Sequence, residues 1–177
     1  MKTLKGMLRI QSVLLVLAAT ASPALAQATM RVSLHPSGSQ AALGAGQITS
    51  VTNDGRVAFE SLEPFDGRDT NGVSDVYLYD RSLGTTTLLS VNAAGTAAGN
   101  GVSTDPEITP SGAFVVFASV ASDLVSGDSN GVSDVFVVAV ATGAMTMMSR
   151  GPSGAPGNGA STEPSISNTG RIVAFTS

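Results

Sequence analysis

One eight-residue pattern, D-x-N-G-V-S-D-V, occurs twice in this chain, at residues 69–76 and 128–135. The copies begin fifty-nine residues apart, and each leads into an apolar stretch. Other segments recur at nearly the same distance: GTTTLLSVNAAG matches GAMTMMSRGPSG, and STDPEITPSGAFVVFAS matches STEPSISNTGRIVAFTS. A period of about 58 residues indicates one repeated supersecondary unit, whose copies must bury each other's apolar faces to be stable.

Within one unit, β-branched and aromatic runs alternate with turn residues, which predicts short strands. In the second unit the predicted strands are residues 106–109, 113–119, 134–140 and 144–150. The second and third of these carry apolar residues at consecutive positions, which indicates a sheet that is covered on both faces. Four antiparallel strands between similar sheets are typical of a propeller blade. We therefore predict an all-β fold, a β-propeller of four-stranded antiparallel blades, with Phe117 and Val137 buried.

These repeats resemble those of exported bacterial TolB-like β-propellers, whose blades commonly carry P-x-I-S-x-D-G-R-x-V-A-F-x-S followed by G-D-x-N-G-x-x-D-V-F-V-x-D-x-x-T-G. The resemblance covers residues 48–177 and rests on ISNTGRIVAFTS and DTNGVSDVYLYDRSLGTTTLLSV. Three departures occur: Thr49 replaces the proline, one residue is missing before Phe59, and Ala139 stands where the other copy has Asp80.

The resemblance implies a propeller domain over residues 47–177, with blades at 47–91 and 104–150 and a partial blade at 162–177. Residues 27–46 would form an N-terminal segment with one strand. Propellers use about four to eight blades, so about two and a half blades imply an incomplete propeller. We expect either a fragment of a longer propeller or a chain that associates with itself through open blade faces.

Residues 1–26 have the features of a secretory signal peptide. Three basic residues lie among the first nine, the apolar run SVLLVLAATA follows, and Ala24 and Ala26 provide an A-x-A cleavage site. The apolar run is too short to cross about 30 Å of hydrocarbon. The sequence therefore predicts a periplasmic or secreted protein with no membrane span after cleavage.

Removal of the signal would leave six basic residues against thirteen acidic ones. This balance excludes a nucleic-acid partner, because phosphate binding requires a basic face. The chain has no cysteine, so the exported domain must be stabilised without disulfides.

The repeated polar pattern has two interpretations. Its oxygen-bearing side chains could bind calcium, which takes six to eight oxygen ligands around a tight turn. Alternatively, Asn-Gly forms a turn and the aspartates cap backbone amides. The candidate metal ligands are Asp69, Asn71, Asp75, Asp128, Asn130 and Asp134.

Residues suited to catalysis are scarce. The chain has no cysteine, no G-x-S-x-G segment and no glycine-rich phosphate loop. Its one imidazole, His35, precedes a proline and is interpreted as an exposed turn residue. Asp105 and Glu163 recur before a proline, where we expect them to cap loops. The sequence therefore does not indicate an enzyme.

Three functions are consistent with these features. The first is an exported non-catalytic β-propeller module that binds a protein or polysaccharide partner as a scaffold. The second is a calcium-stabilised structural or adhesive repeat protein. The third is the propeller part of a larger hydrolase.

Overall fold

The computed structural model describes residues 14–16, 29–32 and 45–177, with only the backbone of residues 14–16, 29–31 and 45–49. None of the described residues lies in a helix, and accordingly none belongs to a helix that could span a membrane. The strands are β1 (Leu14–Val16), β2 (Thr29–Arg31), β3 (Ala45–Val51), β4 (Arg56–Ser61), β5 (Asp75–Asp80), β6 (Thr85–Leu88), β7 (Ser103–Ile108), β8 (Phe114–Ser119), β9 (Asp134–Ala139), β10 (Ala144–Met147), β11 (Thr162–Ile166) and β12 (Val173–Thr176).

The strands form two four-stranded antiparallel sheets, in the orders β3-β4-β5-β6 and β7-β8-β9-β10. A third sheet contains β11 and β12. The all-β prediction and the four strands predicted in the second unit are thereby confirmed. The backbone of β1, inside the predicted signal peptide, pairs with β2; the signal peptide and export stay predictions.

The residue missing from the first unit lies in the turn between its first two strands. Thr52 N–H donates to the Arg56 carbonyl, so that this turn spans five residues. In the second unit Thr109 N–H donates to Phe114, one residue further along the chain. The deletion therefore shortens a turn and leaves the strand register after it intact.

Each four-stranded sheet buries apolar side chains on two faces. In the first sheet, Ala58, Val76 and Leu78 point towards the second sheet and share one core cluster with Phe117 and Phe136. The alternate residues of β4 and β5 point to the opposite face, where they form a second cluster that includes Val32. The two faces therefore have separate cores, as the consecutive apolar residues predicted.

The second sheet repeats this arrangement. Phe117 and Phe136 stack with ring centroids 5.9 Å apart on the face towards the first sheet. Val116, Val135 and Val137 form a third cluster on the other face, together with Ile166 of β11. The predicted burial of Phe117 and Val137 is confirmed. The three sheets are thus stacked in chain order.

Polar contacts also join consecutive sheets. The Arg56 guanidinium, at the start of β4, donates to the Ser111 and Gly112 carbonyls in the first turn of the next unit, at 2.9 and 3.1 Å. Gly112 has a φ of 68°, and a Cβ there would lie 2.2 Å from the Arg56 Cζ. This turn requires glycine because of both its backbone conformation and the close guanidinium.

We expected Asp105 and Glu163 to cap loops before a strand, and this expectation is wrong. They lie inside β7 and β11, each with a φ of 53°. The pairing register of both strands shifts at these residues, which marks a β-bulge. The proline that follows has no N–H for a ladder hydrogen bond, so the bulge accommodates it.

Because Phe117 is fully buried between two sheets, Phe117→Ala is expected to lower the free energy of unfolding by about 3–5 kcal/mol. Leu83→Ala is the control, since Leu83 is 73% exposed, and it should change stability by less than about 0.5 kcal/mol. Urea unfolding measures both. Equal effects would contradict the stacked core.

Candidate functional site

Each copy of the repeated polar pattern forms the loop between the second and third strands of a four-stranded sheet. Gly72 and Gly131 have φ values of 72° and 70°, a left-handed conformation that favours glycine. The last aspartate of each copy, Asp75 or Asp134, is the first residue of the strand that follows. The sequence interpretation of a tight turn at Asn-Gly is consistent with this geometry.

In the first loop, the Asn71 side chain connects two parts of the backbone. Its Oδ1 accepts from Val73 N–H at 2.9 Å, an Asx turn that fixes the orientation of the amide. Its Nδ2 therefore donates, to Asp75 Oδ2 at 2.7 Å and to the Gly99 carbonyl at 2.8 Å. Gly99 belongs to the linker that leads to the next sheet, so Asn71 ties the loop to that linker.

The second loop repeats these bonds. Asn130 Oδ1 accepts from Val132 N–H at 3.2 Å. Asn130 Nδ2 donates to Asp134 Oδ2 at 2.8 Å and to the Gly157 carbonyl at 3.0 Å. Two independent copies of the pattern thus build the same connection.

The closing aspartate of each loop is fully buried. Asp75 Oδ1 accepts from Ser90 Oγ at 2.5 Å, and Ser90 Oγ itself accepts from Val76 N–H at 3.0 Å. Asp134 and Ser149 make the same contact at 2.6 Å. These serines follow the fourth strand of their sheets, so that the loop, the third strand and the end of the fourth strand are joined.

A backbone bond completes the connection between consecutive units. Ser103 N–H, at the start of the next sheet, donates to the Ser74 carbonyl at 2.8 Å, and Ser161 N–H donates to Ser133 at 2.7 Å. The repeated pattern therefore positions each sheet relative to the one that follows. This structural role accounts for the asparagine and the second aspartate of both copies.

The first aspartate of the pattern differs between the copies. Asp69 Oδ2 accepts from the Tyr77 hydroxyl, and both side chains are buried. Phe136 occupies the place of Tyr77 in the second unit, and the buried Asp128 Oδ1 has no hydrogen-bond partner among the described residues. A single hydroxyl thus separates a carboxylate oxygen that has a donor from one that has none among the described residues.

Burial sets the protonation of these carboxyl groups. It raises the pKa of Asp75 to about 6, and the nearby Asp69 carboxylate adds to that rise. Burial and the charge of Asp134 raise the pKa of Asp128. Burial and the bond to Asp69 raise the pKa of Tyr77, so that the phenol stays protonated and donates.

In this structure the asparagine and the second aspartate of each copy form hydrogen bonds to each other and to neighbouring groups. Calcium needs oxygen atoms directed at one point, whereas Asn71 directs its N–H groups at Asp75 and its oxygen at a backbone amide. Within the described part of the chain, no group of three or more His, Cys, Asp or Glu residues is placed to hold a metal. The geometry favours the turn interpretation, and calcium binding stays a prediction for titration calorimetry.

Asp105 and Glu163, which the sequence analysis considered for catalysis, each make a hydrogen bond within the described part of the chain. Asp105 N–H donates to Glu60 Oε2 at 3.1 Å, and Glu163 Oε2 accepts from the Thr176 hydroxyl at 3.2 Å. His35 lies outside the described residues. The absence of catalysis stays a prediction.

A groove of about 660 Å³ lies between the outer strands of the first two sheets. The second sheet contributes β9, β10, the turn between them and residues 124–126, and the first sheet contributes Arg68, β6 and the linker that follows. Its lining includes the apolar residues Leu88, Leu89, Val91, Leu124, Val125, Val138, Val140 and Met145. Arg68 is the one charged lining residue among those described, and it is paired with Asp66 at 2.8 Å.

Sequence reasoning missed this groove. The two walls come from segments about fifty residues apart, and no local pattern indicates that they face each other across a gap. Of the three threonines in β6, only Thr87 lines the groove, and nothing in the sequence distinguishes it from Thr85 and Thr86.

Comparison with known proteins adds no identification, since neither a family model nor a curated protein matches the chain.

Tyr77 in β5 and Phe136 in β9 occupy equivalent positions, and exchanging their residue types should change the free energy of unfolding in opposite directions. Tyr77→Phe leaves the Asp69 carboxylate without its donor and is expected to cost about 1–3 kcal/mol. Phe136→Tyr provides Asp128 with a donor and is expected to stabilise by about 1 kcal/mol. Chemical unfolding of both variants tests this, and a loss of stability in both would contradict the equivalence of the loops.

Stability should also fall as the pH rises from about 4 to about 6. The folded pKa of Asp75, about 6, exceeds the unfolded value of about 3.9, so the folded state holds the extra proton in this window. Melting temperatures measured across the window should therefore decrease with pH, and Asp75→Asn should flatten the decrease. An unchanged slope in the variant would exclude Asp75 as its origin.

Proposed function

We propose that the chain is an exported, non-catalytic β-propeller module that binds a protein or polysaccharide partner. The observation that carries this proposal is the groove between the first two sheets, which has an apolar lining and an open mouth. Concave sites with apolar walls and few polar groups are the usual places where proteins bind ligands.

The propeller is supported by the order in which the sheets pack. The first strand of each sheet lies against the first strand of the next: β7 contacts β3, and β11 contacts β7. In propellers the first strands of successive blades lie side by side around an axis. The repeats also resemble the TolB-like blades, which adds to this proposal.

A binding role fits the character of the groove better than a catalytic one. Its one charged residue, Arg68, is neutralised by Asp66 at 2.8 Å. No lining residue with a perturbed carboxylate, imidazole or thiol is available in the described part of the chain for acid-base or nucleophilic chemistry. The calcium-stabilised adhesive protein and the propeller of a larger hydrolase stay alternative hypotheses without a specific supporting feature.

Two threonines at equivalent positions provide a matched test. Thr87 lines the groove, whereas Thr146, fifty-nine residues later, does not, and both side chains are exposed. We expect Thr87→Arg to weaken binding at least about tenfold, because the arginine adds bulk and charge to an apolar site. Thr146→Arg should weaken binding less than Thr87→Arg, because Thr146 lies outside the groove.

The purified chain is first screened against a random peptide library and a polysaccharide array. The ligands found are then titrated against the original chain and both variants. Ligands that bind the original chain and Thr146→Arg, and not Thr87→Arg, would support the groove as the site. Failure to select any ligand, or equal binding to all three proteins, would contradict the proposal.

A further inference from the structure

The outer edges of the two four-stranded sheets differ in how they are covered. By the alternation of an antiparallel ladder, Leu89 N–H bonds to Val76 and the Leu88 N–H points away from β5. The Asp66 carboxylate lies near this N–H, and the Arg68 hydrogen bond and Leu88 both contribute to lowering the pKa of Asp66. Arg68 holds Asp66 in place through two bonds, at 2.8 and 3.0 Å. The Asp66–Arg68 ion pair therefore lies beside the edge of β6 at Leu88 and covers it there.

The corresponding edge of the second sheet lacks this cover. Val125 and Gly127 stand where the first unit has Asp66 and Arg68. The same alternation directs the N–H and C=O groups of Met145 and Met147 away from β9. No described residue bonds to them.

The edge strand β10 has none of the features that usually prevent pairing with another chain. Natural edges are protected by lysine, proline, bulges or a covering segment. The segment Ala144–Met147 has no charge and no proline, and its pairing with β9 is regular. Met145, which belongs to this strand, also lines the groove.

We propose that β10 binds an extended peptide as an added strand, with apolar side chains at alternate positions lying in the groove. Backbone groups would provide affinity and the groove would select the side chains, as in other cases of strand addition. The inference rests on the proposed function, because it specifies how the groove is used. The peptide would be uncharged where it faces the groove, since Arg68 is neutralised and no lining residue is acidic among those described.

A second copy of the chain is a less suitable occupant. If two β10 strands paired with each other, each would keep its own Met145 in its own groove, and both grooves would stay unfilled. A separate peptide can place a side chain into the groove while it pairs with the edge. Sedimentation of the purified chain separates the cases, because a dimer that Met145→Pro dissociates would overturn the peptide proposal.

The backbone can be tested with a pair of variants at one position. Met145→Pro removes an outward N–H without breaking a bond of the β9–β10 ladder, since proline is tolerated on that side of an edge strand. Met145→Ala shortens the same side chain and keeps the N–H. With a capped synthetic peptide of alternating valine and threonine as probe, we expect Met145→Pro to bind about fivefold or more weakly than Met145→Ala. Equal affinities would overturn strand pairing.

N-methylation of the probe provides the complementary test. Methyl groups on every valine block one edge of the peptide, and methyl groups on every threonine block the other. Only one pattern should abolish binding if one edge pairs with β10, and the amides of Met145 and Met147 should then exchange more slowly with the unmodified peptide bound. Equal binding of both patterns, or loss of both, would overturn the proposal. If Thr87→Arg weakens binding but the two methylation patterns have equal effects, the groove would still be the binding site. Strand addition would be excluded.

Introducing a carboxylate beside β10, as in the first unit, provides a further test. Val125→Asp places a carboxylate at the position that Asp66 has in the first unit, where Asp66 lies near Leu88. By competing for the Met147 N–H, it should reduce binding of the probe by about fivefold or more. Circular dichroism shows whether the variant folds. A folded variant with unchanged affinity would contradict a role for this edge.

Discussion

Strands β4, β5, β8 and β9 bury apolar side chains on both faces of their sheets, and every other feature of the fold follows from the need to cover both. One face of the first sheet and one face of the second share a core around Phe117 and Phe136. The remaining faces are covered by the segment around Val32 and by β11. A single sheet of this composition would expose a large apolar face to water, so each unit depends on its neighbours for stability.

Apolar contact alone does not fix how one sheet is oriented on the next, because hydrophobic burial is not directional. The repeated polar loops provide that direction. Asn71 and Asn130 each join their own loop to the linker of the following unit. Arg56 adds a contact with the turn of the next sheet. These bonds lie where linker backbone groups would otherwise be unpaired, which makes the asparagine amide, with its donor and acceptor, suitable for the position.

The same packing creates the groove. The first two sheets contact each other through β3, β4, β5 and β7, and the groove is lined by Thr87 of β6 and Met145 of β10. The second unit has the same loop bonds as the first. It has no ion pair at the position of Asp66 and Arg68, and Phe136 stands where Tyr77 donates to Asp69 in the first unit. The two copies thus share the bonds that hold the stack together and differ at the groove and the outer edge. That difference is expected if the shared bonds serve the fold and the rest is free to serve recognition.

The sequence by itself determined the repeat, the all-β class, the strands of the second unit and the burial of Phe117 and Val137, because alternation and turn residues are local properties. It left the polar pattern open between calcium binding and a turn, since the same oxygens suit both. Only the tertiary structure showed that the Asn71 amide faces Asp75 and Gly99. The placement of Asp105 and Glu163 at bulges and the groove beside β10 also required it. These features depend on how segments distant in the chain meet, and a local pattern carries no information about the gap or the hydrogen bond that forms between them.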